Sequence, residues 1–240
     1  MLIKLTDRIY YMPHNEETDR PILGYIRGDD YSLMIDAGNS KKHAELFLDE
    51  ISKLGLPHPV YVAITHSHWD HTYGLCGLNA VSISCRETNE YLDEMSKWEW
   101  TDEAMQNRLL NGKDIEFCDT MIRKEYPDRR EIFVKTADIV FESGLSIYLG
   151  NISCELKKIE SSHSNDCVVV YVPQEKIIFI GDIICEDLHH GEPVYYRDKL
   201  ESLIKNMRNI DFKTALFGHL PPLTKQEVIA ILEDESNNVI

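Results

Sequence analysis

The segment Thr65-His66-Ser67-His68-Trp69-Asp70-His71-Thr72-Tyr73 places three histidines and one aspartate within six positions. The apolar and largely β-branched stretch 60–64 comes directly before it and predicts a short buried strand, so the polar side chains would follow the end of that strand. Imidazole is a good zinc ligand, and an added carboxylate does not change that preference. Four candidate ligands exceed what one catalytic zinc takes from the protein. The segment therefore predicts two metal ions, or one metal ion plus an acid/base group.

Composition limits the partners and the compartment. The chain has 240 residues, which is ample for a buried core, and a formal net charge of −16. That charge argues against binding to a nucleic-acid backbone or to an anionic membrane surface, and no run of 18 apolar residues predicts a transmembrane helix. Six scattered cysteines without a C-x-x-C pair, and no apolar leader in residues 1–8, predict reduced thiols in a cytoplasmic protein.

The order of predicted elements favours sheets covered by helices. In the first half a helix at 44–54 and the metal-binding segment alternate with predicted strands at 8–12, 22–26, 31–36, 60–64 and 81–85. The second half returns to strands at 145–149, 152–159, 167–172 and 176–180, followed by a helix at 200–207, a strand at 214–217 and a C-terminal helix.

Residues 86–135 differ from the rest because they are charged and rich in aromatic residues at helical spacing. We interpret this segment as a helical insertion that packs on the main body. An apolar stripe in such a segment more often serves packing than substrate binding, although a lid would serve both.

Three further candidate ligands each lie at or near the carboxyl end of a predicted strand. His163 lies in a polar turn between two strands, Asp182 follows the apolar stretch 177–181, and His219 follows the strand 214–217. A lone histidine beside a strand is usually a hydrogen-bonded structural residue. Together with the His-x-His-x-Asp-His segment, however, the three residues form a set of metal ligands.

With Asp36 in Ile35-Asp36-Ala37-Gly38, this order of residues resembles the metallo-β-lactamase superfamily of hydrolases. The resemblance extends from residue 36 to residue 219, which is nearly the whole chain. It implies an α/β (α+β) fold, a four-layer αββα sandwich of two mixed β-sheets with the site at the edge between them. We expect a single domain over residues 1–240 that carries the helical insertion at about 86–135.

The resemblance also implies how the ligands divide. One metal would be held by His66, His68 and His163, and the other by Asp70, His71 and His219, with Asp182 bridging the two. Asp36 would hold the loop through hydrogen bonds without touching metal. Two zinc ions per chain are expected, with iron or manganese as alternatives. A bridging hydroxide would attack the substrate, and Asp70 would act as a catalytic residue that orients the nucleophile or carries a proton.

The function implied is a zinc-dependent hydrolase of a small ester-like substrate such as a lactone or thioester. Di-iron members of the family have a motif similar to His-x-Glu-x-Asp-His, with glutamate at the position that His68 has in this chain. The histidine at that position favours zinc. A mono-iron sulfur dioxygenase-like oxidoreductase and a phosphodiesterase of the same fold remain the alternatives. The partner is then a small molecule rather than a nucleic acid or a membrane, and the apolar insertion is compatible with a homodimer.

Several side chains near the ligands are candidates for the pocket. Trp69, Tyr73, Tyr195 and the adjacent Tyr196 are candidate pocket walls, although packing explains each of them individually. The pair His189-His190, in the loop after Asp182, is expected to be exposed to solvent.

Overall fold

The computed structural model describes residues 1–238 and contains two mixed β-sheets with helices on their outer faces. The first sheet has its strands in chain order: β1 (Ile3–Lys4), β2 (Ile9–Met12), β3 (Leu23–Arg27), β4 (Ser32–Ile35), β5 (Tyr61–Ala63), β6 (Val81–Cys85) and β7 (Ile139–Phe141). The pairs from β1 to β4 are antiparallel, and those from β4 to β7 are parallel.

The second sheet is formed by the later strands: β8 (Gly144–Tyr148), β9 (Ser153–Lys158), β10 (Val168–Val172), β11 (Ile177–Gly181), β12 (Thr214–Phe217) and β13 (Leu223–Thr224). These strands also lie side by side in chain order, and only β11 and β12 pair in parallel. The helices are α1 (Lys41–Lys53), α2 (Trp69–Thr72), α3 (Arg86–Met95), α4 (Asp102–Leu110), α5 (Glu116–Glu125), α6 (Arg197–Asn209) and α7 (Lys225–Asn238).

Successive side chains along the strands point to opposite faces of the sheets, and this alternation divides the core into three apolar layers. On β4, Leu33 and Ile35 face the second sheet, whereas Met34 packs with Phe47 of α1. On β10, Val168 and Val170 face the first sheet, whereas Val169 packs against the layer under α6 and α7. Three apolar layers separate four layers of structure, and both sheets are covered on both faces, which explains why β4 and β11 are buried along their whole length.

The predicted αββα sandwich of two mixed sheets is confirmed. The insertion forms α3, α4 and α5, and its apolar residues Leu92, Met105 and Ile122 are buried in the same layer as α1. No helix within residues 1–238 is long and apolar enough to cross a membrane.

Candidate metal centre

The chain brings its candidate ligands together because parallel strands end at the same edge of a sheet. Strands β4 and β5 are parallel, so Asp36 after β4 lies beside Thr65 and His66 after β5. Strands β11 and β12 are also parallel, so Asp182 and His219, which follow them, converge. The two sheets meet along this edge, and all seven candidate ligands lie there in two adjacent groups.

The first group consists of three histidines whose ring nitrogens converge. His163 Nε2 lies 3.0 Å from His68 Nδ1 and 3.3 Å from His66 Nε2. His66 is buried after β5, His68 precedes α2, and His163 is supplied by the loop between β9 and β10. Three imidazole nitrogens that point at one position are a donor set that suits zinc.

The second group combines two carboxylates and two imidazoles. Asp70 Oδ2 lies 3.1 Å from His71 Nε2 and 3.1 Å from His219 Nε2. Asp182 Oδ2 lies 3.4 Å from the same atom of His71 and 3.2 Å from that of His219. Asp70 and His71 are neighbours on the short helix α2, which explains why both can reach one position.

Asp182 connects the two groups, since its Oδ2 is also 3.8 Å from His163 Nε2. Two buried atoms, His71 Nε2 and Asp182 Oδ1, have no hydrogen-bond partner within the described part of the chain. Leaving such atoms without a partner is costly, and a cation between them would remove that cost. The two groups therefore fit a binuclear metal site, and Asp182 lies where the two groups meet.

Hydrogen bonds at the opposite ring nitrogens fix the tautomers of three histidines. The Nδ1–H of His163 donates to the Glu186 carbonyl at 3.2 Å, and that of His66 donates to Thr65 Oγ1 at 3.1 Å. The Nδ1–H of His71 donates to Asp36 Oδ2 at 2.8 Å. In each ring Nε2 is then the nitrogen that faces the ligand group and that a metal would bind.

Asp36 holds the metal-binding segment without lying in either group. Its Oδ1 accepts the Thr65 backbone N–H at 2.8 Å, and its Oδ2 accepts the Thr65 hydroxyl at 2.9 Å in addition to the bond from His71. The residue is buried and has a left-handed backbone with a φ of 57°. These contacts place Asp36 where the sequence analysis expected it, behind the ligands.

The electrostatics of the two groups differ. Burial lowers the pKa of His66 and of His68 well below the ordinary value, and neighbouring histidines add to the effect, so both rings are neutral. Burial also opposes the charge on His219, but Asp182 and Asp70 outweigh it and raise the pKa of His219 to about 11. The first group thus offers neutral lone pairs, and the second attracts positive charge.

The carboxylates of the second group stay ionised. Burial opposes their ionisation, but His71 and His219 outweigh it and hold the pKa values of Asp70 and Asp182 well below the ordinary range. Burial lowers the pKa of His71, but the charges of Asp70 and Asp182 raise it by more, so the pKa of His71 is raised overall. A dication would satisfy these charges together.

Close packing at this edge requires glycine before His219. A Cβ atom on Gly218 would lie 2.1 Å from Asp182 Oδ1, far inside van der Waals contact. The backbone between β12 and His219 therefore runs directly against the Asp182 carboxylate, and any larger residue at 218 would displace it.

Two carboxylates that support the ligands, the half-buried Asp19 and the buried Asp166, were not singled out from the sequence. Asp19 Oδ1 lies 3.5 Å from His219 Nδ1, and burial, followed by the charge of Asp70, raises the pKa of Asp19 to about 7. Asp166 accepts the Ser67 backbone N–H at 2.7 Å and the Thr88 hydroxyl at 2.8 Å, so it fixes the loop between His66 and His68. No motif marks either residue, because their roles depend on contacts far apart in the chain.

A cavity of about 650 Å³ opens beside the first group. Trp69 and Tyr73 line it, as does Tyr196. Tyr195 does not line this cavity, and the expectation that it does is wrong: its hydroxyl donates to the Ile184 carbonyl at 3.0 Å, which turns it into the layer under α6.

The expectation for the adjacent histidine pair is correct for only one of the two. His190 is exposed and donates to Asp187, but the ring of His189 is half-buried and lies with its centroid 4.5 Å from that of His68. Burial lowers the pKa of His189. A fourth histidine therefore covers the first group from the cavity side.

Comparison with known proteins decides the family. The sequence profile described as Metallo-beta-lactamase superfamily matches residues 24–219, which include every ligand described above. The chain belongs to the metallo-β-lactamase superfamily. No curated protein matches it in sequence.

Solved structures share the metallo-β-lactamase fold at low sequence identity. The chain is similar to a metallo-beta-lactamase from Pontibacter korlensis, with 17% identity, a TM-score of 0.65, and coverage of 98% of this chain and 99% of that one. It is also similar to a metallo-beta-lactamase family protein from Thermus thermophilus, with 17% identity, a TM-score of 0.67 and coverage of 98% and 80%.

A third similar structure is the stereoselective inverting sec-alkylsulfatase Pisa1 from a Pseudomonas species, with 15% identity and a TM-score of 0.71. The match covers 98% of this chain but only 41% of the alkylsulfatase, so the chain spans less than half of that protein. At these identities the likeness concerns the metallo-β-lactamase fold alone.

Proposed function

We propose that this protein is a metal-dependent hydrolase that cleaves small ester-like substrates, such as lactones or thioesters, with two zinc ions per chain. The observation that carries the proposal is the contact between the two ligand groups, in which Asp182 Oδ2 approaches His71, His219 and His163 within 3.2–3.8 Å. The predominance of imidazole among the donors supports zinc. Six free thiols support a reducing compartment such as the cytoplasm.

The residues divide by group. His66, His68 and His163 would hold one ion; Asp70, His71 and His219 would hold the other, with Asp182 between them. Bound there, two zinc ions would lower the pKa of a water molecule toward about 7 and polarise the scissile carbonyl.

The chain itself contributes the orientation of the nucleophile. Asp70 Oδ2 faces both histidines of the second group, so it would accept a hydrogen bond from a water molecule there and orient it. The substrate reaches His68 and His163 through the cavity, because these two ligands line its wall. The buried surroundings of Asp70 and Asp182 exclude bulk water and strengthen these interactions.

The test combines metal analysis with a substrate screen on the same preparation. Elemental analysis is expected to give two zinc ions per chain after loading, and chelation is expected to abolish hydrolysis of a lactone, a thioester or an aryl ester that zinc then restores. Replacing a ligand by His71→Ala or His219→Ala is expected to reduce kcat by about 10²-fold or more. His58→Ala, at an exposed loop position, is the matched control and should leave activity unchanged.

Other outcomes would replace the proposal. Faster turnover of bis(p-nitrophenyl) phosphate than of every ester would indicate a phosphodiesterase. Iron in the purified protein with oxygen uptake on a persulfide substrate would indicate a dioxygenase. Retained metals with no turnover of any substrate, or full activity of His71→Ala, would show that hydrolysis at this centre is the wrong assignment.

A further inference from the structure

The cavity beside the first group has a predominantly apolar wall that is largely built by the insertion. Met95 and Trp98 line it at the end of α3 and just after that helix, and Cys118 and Ile122 line it from α5. Trp69 completes the apolar wall next to the ligands. A volume of about 650 Å³ lies within the range of about 300–1,000 Å³ that is usual for small-molecule sites.

The cavity meets only one side of the metal centre. It reaches His68 and His163 of the first group, whereas Asp70, His71, Asp182 and His219 do not contribute to its wall. A substrate with its reacting bond at the ligands therefore has room for a substituent on the side of the first group, and that substituent would lie among the side chains of the insertion.

The charged side chains of the cavity do not favour an anionic ligand. Three carboxylates (Glu94, Asp114 and Asp187) line it, against two ammonium groups (Lys113 and Lys199). Lys113 Nζ donates to Glu94 Oε1 at 2.7 Å, and Lys199 Nζ donates to an asparagine oxygen at 2.8 Å, so both ammonium groups already have partners. No arginine lines the cavity within residues 1–238.

Two of these carboxylates differ in how their charge is stabilised. Burial opposes the charge of Asp187, but hydrogen bonds from the backbone of His189 and from Tyr196 Oη, at 2.9 and 3.1 Å, help to lower its pKa, so these donors are already used. Burial raises the pKa of Asp114 to about 6, which shows how poorly this part of the cavity solvates a negative charge. A carboxylate or phosphate on the ligand would meet the same penalty without a cationic partner.

We propose that the cavity binds an uncharged apolar substituent of the substrate, an alkyl chain or ring carried by the ester, lactone or thioester. This inference rests on the proposed function and adds the substrate class. Binding of the chain is driven by burial against Trp69, Met95, Trp98 and Ile122, and the reacting bond lies toward His68 and His163.

The first test is a chain-length series on the zinc-loaded, full-length protein. The ratio of kcat/KM for p-nitrophenyl octanoate to that for p-nitrophenyl acetate is expected to exceed about tenfold. Octanoate has six more methylenes than acetate, and complete burial of each would contribute at most about fourfold, so a tenfold gain requires only part of the chain to be buried. The mono-p-nitrophenyl ester of suberic acid, which has the same chain length but a carboxylate at its far end, is expected to lose at least that gain. Equal values for all three esters would overturn the proposal.

A cavity-filling variant locates the effect. Cys118→Phe places a large side chain in the cavity from α5, and it is expected to lower the octanoate-to-acetate ratio at least tenfold. Thr120→Phe introduces the same side chain at an exposed position of the same helix and should leave the ratio unchanged. If Cys118→Phe does not fold, the smaller Cys118→Leu gives the same test; an unchanged ratio in a folded variant contradicts the assignment.

Tryptophan fluorescence supplies a readout that does not depend on catalysis. The three tryptophans of the chain all report on this region, since Trp69 and Trp98 line the cavity and the ring of Trp100 has its centroid 6.0 Å from that of Trp98. Titration with 1-octanol is expected to change the emission saturably, and 1-propanol to require at least tenfold higher concentration. Cys118→Phe should remove the response to 1-octanol, whereas Thr120→Phe should keep it.

The two readouts separate the failure of this inference from that of the proposed function. Hydrolysis of short esters without chain-length dependence, and without a response to 1-octanol, would refute the apolar subsite and leave the hydrolase in place. A saturable response that Cys118→Phe removes, with no hydrolysis of any ester, lactone or thioester, would support the subsite and refute the proposed reaction.

Discussion

Asp36→Asn tests how the chain sets the tautomer of His71. Asp36 Oδ1 accepts the Thr65 backbone N–H, and its Oδ2 accepts both the Thr65 hydroxyl and the His71 Nδ1–H. Asparagine can keep the first bond through its carbonyl oxygen, but it places an NH₂ group against the other two partners. The amide hydrogens then need acceptors, which drives His71 to the tautomer with its proton on Nε2. That atom faces Asp70 and Asp182 and would no longer be a ligand.

The expected magnitudes follow from these contacts. The two hydrogen bonds to the charged Oδ2 are exchanged for contacts with a neutral amide in a buried region, which is expected to lower the free energy of unfolding by about 1–3 kcal/mol. Loss of the carboxylate behind His71 is expected to weaken metal binding at the second group by about 10–100-fold. The first group has no direct contact with Asp36 and is connected to it through Thr65, which His66 contacts, and through the ring of His71, so its affinity should change less.

The assay is a calorimetric zinc titration of the metal-free protein. His163→Ala and His219→Ala assign the two binding steps to the first and second group. Asp49→Asn, the same substitution at an exposed position of α1, should reproduce both wild-type steps. The reasoning is refuted if Asp36→Asn leaves the second step unchanged, or if it weakens both steps equally, because neither result is compatible with an effect through His71.

Three further changes have expected outcomes. Asp19→Asn removes the carboxylate beside His219 Nδ1 and should weaken zinc binding by about 10–100-fold in a chelator competition; unchanged affinity would exclude a supporting role. Gly218→Ala should lower the free energy of unfolding by about 1–3 kcal/mol and reduce metal content, since its Cβ meets Asp182; a wild-type denaturation curve would contradict this. Because burial raises the pKa of Asp114 from 3.8 to about 6, the folded chain holds this proton more tightly than the unfolded chain, and the resulting stabilisation is lost as the pH rises from about 4 to 6. In denaturant titrations the free energy of unfolding of Asp114→Asn should therefore exceed that of the wild type by about 1–3 kcal/mol at pH 7 and equal it near pH 4. A difference that does not change with pH would contradict the raised pKa of Asp114.

The architecture and the ligand set could be predicted because both depend on local patterns. Runs such as 177–181 are apolar along their whole length, which is typical of a strand buried on both faces. A polar residue directly after such a run, as Asp182 is, lies at the sheet edge whatever the details of the packing. The same logic applies to Asp36 and His66, whose strands are parallel neighbours, so knowing the strand ends was enough to bring these residues together.

The surroundings of the ligands could not be predicted because they depend on contacts between distant segments. Asp19 lies 200 positions before His219 in the chain, and only the folded N-terminal loop brings the two together. Tyr195 and Tyr196 are adjacent and chemically identical, and the direction of the chain before α6 decides that only Tyr196 lines the cavity. His189 could not be distinguished from His190 for the same reason.

The two ligand groups differ in charge, so the two sides of the metal centre are not equivalent. The first group has three imidazoles, so a dication held there would keep its charge, whereas the carboxylates of Asp70 and Asp182 would neutralise one at the second group. The cavity meets the first group alone. If the proposed hydrolysis takes place here, a substrate that enters through the cavity would bring its reacting bond to the first group, while Asp70 would lie on the other side of the centre.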